Sequence, residues 1–454
     1  MDTIAAISTP RGIGGIAVIR ISGDRAVEIV DRVFRGKREL KRLESHRVVY
    51  GKIVDPETGE IIDDVLVTVM RAPSSYTGED VVEISSHGGL IIPGLILEIL
   101  LKNGARPAQP GEFTERAFLN GKIDLVQAVG VKEVIEATSR KALKVARKRL
   151  DGELSSRFDT LKNQLLDLLK EVEARVDFEE DVPPLDNSIL RDGIEKVIQT
   201  IDILIEKGDR VQKLFDGIRI VIAGRPNVGK STLFNRILNE ERAIVTEIPG
   251  TTRDVISEHL LLGGFPVKLM DTAGLRETNE KVEMIGINLA KESLRNADIV
   301  LFVIDGSEQI DPADVEFFRR IEVPLKVLVI NKIDRGLKAD KAKLREVAGE
   351  NPVCQVSSLT GEGIDRLLDR ITGILEENFS FSGELNVTER EKGLLLSAKS
   401  DLEEALKVQK EGYPLDIVSF HIREAIFRLD EILGIGDIPE RVLERIFEEF
   451  CIGK

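Results

Sequence analysis

Gly224-Arg-Pro-Asn-Val-Gly229-Lys230-Ser231 is the segment of this chain whose residue types and spacing most plainly do chemistry. It follows Ile218–Ala223, an apolar run of strand length. Strand, glycine-rich turn and helix start, in that order, make a phosphate-binding loop. The glycines let successive backbone N–H groups point inward around phosphates, and the following helix adds the positive end of its dipole. Lys230 is placed to reach the β- and γ-phosphates, and the Ser231 hydroxyl to take a position on Mg²⁺. Asn227, Val228, Gly229 and Thr232 complete the phosphate-facing set.

Further polar clusters follow other strand-like runs. Val267–Met270 leads into Asp271-Thr272-Ala273-Gly274, a carboxylate and a glycine N–H where Mg²⁺ and a γ-phosphate sit. Val327–Ile330 leads into Asn331-Lys332-Ile333-Asp334. Asp334 can accept from both N1–H and the exocyclic amine of guanine, a pair that adenine lacks, so the nucleotide is GTP. Ser357-Ser358-Leu359, after a strand near Val353, fits a loop touching guanine O6. Pro249-Gly250-Thr251-Thr252-Arg253-Asp254 offers Thr252 to a switch loop closing on Mg²⁺ and the γ-phosphate, beside Lys230 as a catalytic group. Clusters at the C-terminal ends of strands mark the binding edge of an open α/β sheet. Leu275 follows Gly274 where Ras-like enzymes place a water-orienting glutamine. Leucine cannot polarise water, so another group has to.

The elements that hold these groups fall into three regimes. Residues 1–120 mix strands (Ile16–Ile21, Val65–Met70, Val81–Ser85) with a helix expected over Gly88–Leu101, an α+β domain. Residues 121–214 are almost free of Gly and Pro and show helical periodicity, with Leu161, Leu165, Leu168, Leu169 and Val172 on one face. The acidic stretch ending in Pro183-Pro184 divides them into two long helices. Residues 215–378 alternate strand and helix patterns, and helical periodicity returns over 379–454. One helical bundle domain built from both flanks, with the P-loop GTPase domain inserted, explains this order more economically than four domains in a row.

Composition sets outer limits. The 454 residues exceed one compact core. No run approaches the ~20 apolar residues of a membrane span, and the start lacks a basic, then apolar, secretion signal. Two cysteines make neither a disulfide framework nor a metal cluster. A cytoplasmic protein without membrane attachment is expected. A net charge of −15 disfavours indiscriminate nucleic-acid binding but leaves room for a local basic patch.

GRPNVGKS, PGTTRD and DTAGLRET resemble the MnmE (TrmE) family of tRNA-modification GTPases. The likeness runs the whole chain, through ISTPRGIGGIAVIRISG, SYTGEDVVEISSHGG, QPGEFTERAFLNGKIDL and the terminal CIGK. It implies a homodimer whose GTPase domains meet face to face, with K⁺ in place of an arginine finger. Asn227, Thr246, Ile248 and Thr251 would then surround the K⁺, and Glu283 would activate water. Without the resemblance Glu283 reads first as an exposed helix-start carboxylate.

The family's amino-terminal domain binds 5-formyl-tetrahydrofolate, which carries Arg20, Glu83, Lys122 and Lys454 over as folate residues, Lys454 in the same or a partner subunit. The resemblance further implies an FAD-containing MnmG (GidA) partner, joined in a heterotetramer or larger, acting on C5 of wobble uridine in tRNA. A ribosome-assembly or signalling switch is the other class, but no KH-type GXXG segment follows the GTPase region.

Three features stay open on sequence alone. His87 reads as catalytic or as a turn histidine capping a helix. Cys451 reads as a nucleophile or an ordinary thiol. Arg140, Lys141, Lys144, Arg147, Lys148 and Arg149, after Ser139, read as a tRNA backbone contact or a solvated helix face.

Overall fold

The computed structural model describes residues 2–177, 183, 187–240, 257–271, 294–338, 340–379 and 385–454. They divide into two compact units. One holds residues 1–135, 147–201 and 389–454, and the other holds 136–146 and 202–388.

The first unit opens with a seven-stranded sheet. Its strands are β1 (Ile4–Ile7), β2 (Ile16–Ser22), β3 (Phe34–Gly36), β4 (Arg47–Val54), β5 (Ile61–Met70), β6 (Val81–His87) and β7 (Arg106–Pro107), in spatial order β3-β4-β5-β6-β2-β1-β7. All pairs are antiparallel except β1–β7. Alternation along β5 buries Val65, Val67 and Val69 while Leu66 stays exposed, the pattern of a sheet covered on one face. Helices α1 (Ala26–Val33) and α2 (Ile92–Lys102) supply that cover, with Ile29, Val30, Ile96 and Leu100 in the shared core.

The sequence expectation of a helix from Gly88 is corrected: α2 begins four residues later. Gly88 is held against the Gly14 carbonyl, where an added Cβ would lie 2.5 Å away. Pro93 then sits in the first helical turn, where a missing N–H costs nothing.

After α3 (Glu112–Leu119) the same unit becomes helical. α4 (Leu125–Glu136), the later part of α5 (Arg140–Leu150), α6 (Glu153–Asp177) and the first half of α7 (Asn187–Asp216) join the carboxy-terminal helices Glu389–Lys410, Leu415–Leu433 and Glu440–Phe447. Of the expected stripe on α6, Leu161, Leu165, Leu169 and Val172 are buried. Leu168 is partly exposed and packs where a Cβ on Gly193 would meet it at 2.8 Å, so that glycine lets α7 approach.

The second unit is built on a six-stranded sheet: β8 (Ile218–Ala223), β9 (Ser257–Leu262), β10 (Phe265–Asp271), β11 (Ile299–Asp305), β12 (Leu325–Asn331) and β13 (Val353–Gln355). The order is β13-β12-β11-β8-β10-β9, parallel throughout except for the β9–β10 hairpin. β8, β11 and β12 are almost continuously apolar and buried, as strands covered on both faces must be. Helices α8 (Lys230–Glu240) and Ile364–Asn378 lie in the core of one face together with Ala142, Val145, Val211 and Leu214. Pro312–Arg320 and Lys341–Ala348 contribute to the core of the other.

Candidate nucleotide and amino-terminal sites

The phosphate loop leaves β8 through Gly224, at φ 144°, where a Cβ would press against the Val303 carbonyl at 2.3 Å. Asn227 takes a left-handed conformation (φ 66°) and Gly229 another (φ 97°). A Cβ at Gly229 would strike Asn331 Nδ2 at 2.3 Å. The loop is therefore closed by backbone approach that only glycine permits. The strand β8 and helix α8 fix its two ends.

Lys230 is buried, and its Nζ donates to the Arg225 carbonyl at 2.7 Å. Ser231 Oγ donates to Asp271 Oδ2 at 2.7 Å. One residue comes from the start of α8 and the other from the end of β10, brought together because β8 and β10 are parallel neighbours. A hydroxyl and a carboxylate side by side at a phosphate loop are the donor set Mg²⁺ accepts. Thr232 is exposed on α8.

Asn331 works as a tie. Its Nδ2 donates to the Val228 carbonyl at 2.8 Å, and its Oδ1 accepts from Ser358 N at 3.0 Å and Ser358 Oγ at 2.8 Å. One buried amide thus joins the phosphate loop to the base loop. Lys332, left-handed at φ 62°, donates to the Asn227 carbonyl at 2.7 Å and to Asp305 Oδ2 at 2.6 Å. Burial pushes the Asp305 carboxyl up, but Lys332 and Ser307 more than offset this and hold it below its ordinary value. Ser357 Oγ donates to Asp334 Oδ1 at 2.6 Å, which orients an otherwise exposed carboxylate. Leu359 is 69% exposed and its carbonyl accepts from Arg236 at 2.7 Å.

Two groups around this site escape the motif pattern. Arg225 reaches Asp314 at 2.7 Å and Asp311 at 2.6 Å, anchoring the loop to the helix Pro312–Arg320. Arg236 braces the base loop from α8. Both are long-range pairings with no signature in local spacing. Thr246, Ile248, Thr251, Thr252, Thr272, Ala273, Gly274 and Glu283 lie outside the described residues, as does Leu275.

In the first unit, Arg20 on β2 stands opposite Glu83 on β6, and their side chains pair at 2.8 Å. Arg20 Nη1 also donates to the Gly453 carbonyl at 3.1 Å, and its guanidinium lies 5.5 Å from the Tyr76 ring centre and 5.6 Å from that of Phe113. The chain's own carboxy-terminus is seated here. Phe113 N donates to the Lys454 carbonyl at 3.2 Å, Ser8 Oγ to the Gly453 carbonyl at 3.1 Å, and Ile452 bridges Pro110. Gly453, at φ 93°, passes so close to Ile7 that a Cβ would sit 2.8 Å from its carbonyl. Arg20, Glu83 and the Lys454 backbone are therefore brought together within one chain. Lys122 is exposed and donates to the Pro73 carbonyl at 2.9 Å. Cys451 is exposed.

For two of the open features the structure removes one reading. His87 does not cap α2: its ring accepts or donates to Asp63 on β5 at 2.7 Å, while its backbone N–H donates to the same carboxylate. The basic run on α5 is not one solvated face either. Arg149 is fully buried, donating to the Val126 carbonyl at 3.0 Å and pairing with Glu133 and Glu391. Lys141 lies 3.2 Å over the Phe265 ring. Arg147 and Lys148 pair with Asp151 and Glu153.

Residues 3–122 match the family model for the GTP-binding protein TrmE N-terminus, and residues 125–451 that for the MnmE helical domain. The chain is 41% identical to the tRNA modification GTPase MnmE of Thermoanaerobacter pseudethanolicus over 463 residues, covering 100% of this chain and 99% of that one. It is 43% identical to that of Geobacillus kaustophilus over 465 residues, again with 100% and 99% covered. The solved G domain of the T. maritima FeoB iron transporter is 27% identical, covers 34% of this chain and 97% of its own, and has a TM-score of 0.27. On its family models and on full-length identity, the chain belongs to the MnmE (TrmE) family of tRNA modification GTPases, an α+β amino-terminal domain and a helical domain with a P-loop GTP-hydrolase domain set into it.

Proposed function

We propose that this chain is a K⁺-dependent GTPase that, with an FAD-containing partner of the MnmG type, modifies C5 of wobble uridine in tRNA using a folate one-carbon unit. The observation that carries the GTPase half is the Ser231–Asp271 pair at 2.7 Å beside a phosphate loop closed by Gly224 and Gly229. Those residues fit Mg²⁺, which would neutralise charge between the phosphates. Lys230 would release the Arg225 carbonyl to bind phosphate oxygens, and Asp334, oriented by Ser357, would select guanine. Thr252 would close on the γ-phosphate. K⁺ held by Asn227, Thr246, Ile248 and Thr251 would supply the positive charge that an arginine finger gives in other GTPases, and Glu283 would orient the attacking water. The exposed, left-handed Asn227 is compatible with such a ligand.

The same reading gives the amino-terminal site a folate such as 5-formyl-tetrahydrofolate. Glu83 would accept from the pterin edge, and Arg20, Lys122 and Lys454 would meet its carboxylates. The Arg20 pairing with Glu83, flanked by Tyr76 and Phe113, supports this, since it fixes a charged pair beside two aromatic faces suited to a flat ring. Domain limits of 1–120, 121–214, 215–378 and 379–454, a homodimer, and a cytoplasmic site of action belong to the proposal. GTP turnover in K⁺ should exceed that in Na⁺ by at least about tenfold, the scale of one lost transition-state contact. Cells lacking the protein should lose the wobble-uridine modification. Equal rates in both salts would remove the K⁺ argument, and unchanged tRNA nucleosides would leave a GTPase switch without modification chemistry.

A further inference from the structure

β13 is an edge strand, and along it runs a groove of about 700 Å³. Leu328 N donates to the Pro352 carbonyl at 2.9 Å and Val356 N to the Ile330 carbonyl at 2.8 Å. Residues of a parallel strand alternate in the side to which they bond, so the N–H and C=O of Val353 and the N–H of Gln355 point to the open edge, while the Gln355 carbonyl is covered by Gly363. The helix Lys341–Ala348 packs on one face of the sheet through Leu344, and Ile364–Asn378 on the other through Leu367 and Ile371. Arginines reach the groove from both: Arg345 from the first, Arg366 and Arg370 from the second. Among the described residues no carboxylate lines it. Among the described residues none of the three guanidinium groups makes an ion pair or hydrogen bond, in a chain with 79 acidic and 64 basic residues.

The spacing fits one kind of occupant. Arg366 and Arg370, four residues apart on a helix, stand ~6 Å apart along its axis. Side chains at alternate positions of an extended strand stand ~6.6 Å apart on one face. We infer that the β13 edge takes an extended acidic segment of a partner protein, added as a further strand with its carboxylates on the arginines. RNA would use the arginines but not the strand-spaced backbone groups, and no aromatic side chain lines the groove for base stacking.

The groove also touches the nucleotide site through the chain. β13 runs directly into Val356 and the Ser357–Leu359 loop. Gly363, where a Cβ would lie 2.2 Å from the Gln355 carbonyl, locks the strand's end to the start of the helix that carries Arg366. A strand added at β13 therefore stiffens the base loop and slows guanine-nucleotide release. That consequence rests on the base-loop role proposed above, whereas binding at the edge does not.

The test uses the full chain and a fluorescein-labelled Glu-Val-Glu-Val-Glu peptide, followed by anisotropy. The peptide should bind, and Arg366→Glu with Arg370→Glu should weaken it by about tenfold or more, with Lys-Val-Lys-Val-Lys binding the variant instead. Glu-Pro-Glu-Pro-Glu, equal in charge but with two ladder N–H groups removed and its backbone held off β geometry, should not bind. Bound peptide should slow release of a fluorescent GDP analogue. The variant's circular dichroism and GTP turnover report its folding. Absence of binding, equal binding of the proline peptide, or displacement by a uridylate hexamer in preference to the acidic peptide each overturns the inference. Peptide binding with unaltered GDP release overturns only the coupling.

Discussion

Asp334, proposed above to select the base, has its plane fixed by Ser357 Oγ, which donates to Oδ1 at 2.6 Å. Asp334→Asn turns one of its two acceptors into a donor. GTP affinity should fall by about a hundredfold or more, because charge-assisted bonds contribute roughly 1.5–3 kcal/mol each. Xanthine nucleotides, which carry a carbonyl where guanine has its amine, should bind the variant better than the parent. Unchanged GTP affinity in a titration with a fluorescent analogue would remove Asp334 from base reading. The histidines give a second check at this scale. The Asp63 hydrogen bond and charge raise the pKa of His87, whereas burial and then Lys268 lower that of His259. NMR titration should place His87 above the ordinary value of 6.5 and His259 below it. The raised His87 value stabilises the fold fully below its ordinary pKa and ceases to as pH climbs through the folded one. Asp63→Asn should return His87 towards 6.5. The phosphate-loop and base-loop residues were legible because each motif is local and its chemistry follows from residue type. The Asp63 partnership was not, because register between β5 and β6 decides it and no spacing rule encodes register.

At the scale of elements, the helical domain shows how far periodicity reaches. The α6 stripe could be read from three- and four-residue steps, and four of its five members are buried. Helical periodicity puts Arg149 with its basic neighbours on α5, yet among the described residues it heads the fully buried side chains in size. Periodicity ranks residues by hydrophobicity and so assigns an arginine to solvent. Only the convergence of α4, α5 and the helix Glu389–Lys410 supplies Val126 O, Glu133 and Glu391 around it. Such a group ties chain segments far apart in sequence, and its loss leaves carboxylates in a dry interior. Arg149→Met should therefore cost about 3–5 kcal/mol in urea unfolding, the penalty of an uncompensated buried charge. Replacing Glu133 and Glu391 by Gln and Leu in the same variant should recover most of the loss. A single-variant cost below about 1 kcal/mol would mean that water reaches the site and the pairing contributes little.

For the whole molecule, the division into two compact units gives each proposed ligand its own thermodynamic address. The phosphate and base loops lie wholly within residues 202–388, and Arg20, Glu83, Lys122 and the carboxy-terminal tail wholly within the other unit. The chain crosses between the units at the end of α4, inside α5 and α7, and near Thr388, yet each unit has a core of its own. Two cores of this size are expected to melt as separate transitions in scanning calorimetry. A ligand stabilises only the unit it binds, by about 2.7 kcal/mol at a hundred times its Kd. GDP with Mg²⁺ should therefore raise one transition and leave the other in place, and 5-formyl-tetrahydrofolate should do the reverse. Deleting residues 451–454 removes the carbonyls of Gly453 and Lys454 that Arg20, Ser8 and Phe113 hold, and should abolish only the folate shift. A single transition moved by either ligand would show that the units unfold together and that the tail's effect cannot be assigned to the amino-terminal site. Two independent shifts, each lost with its own substitution, would fix both sites on opposite sides of the boundary near Ile201 and Thr388.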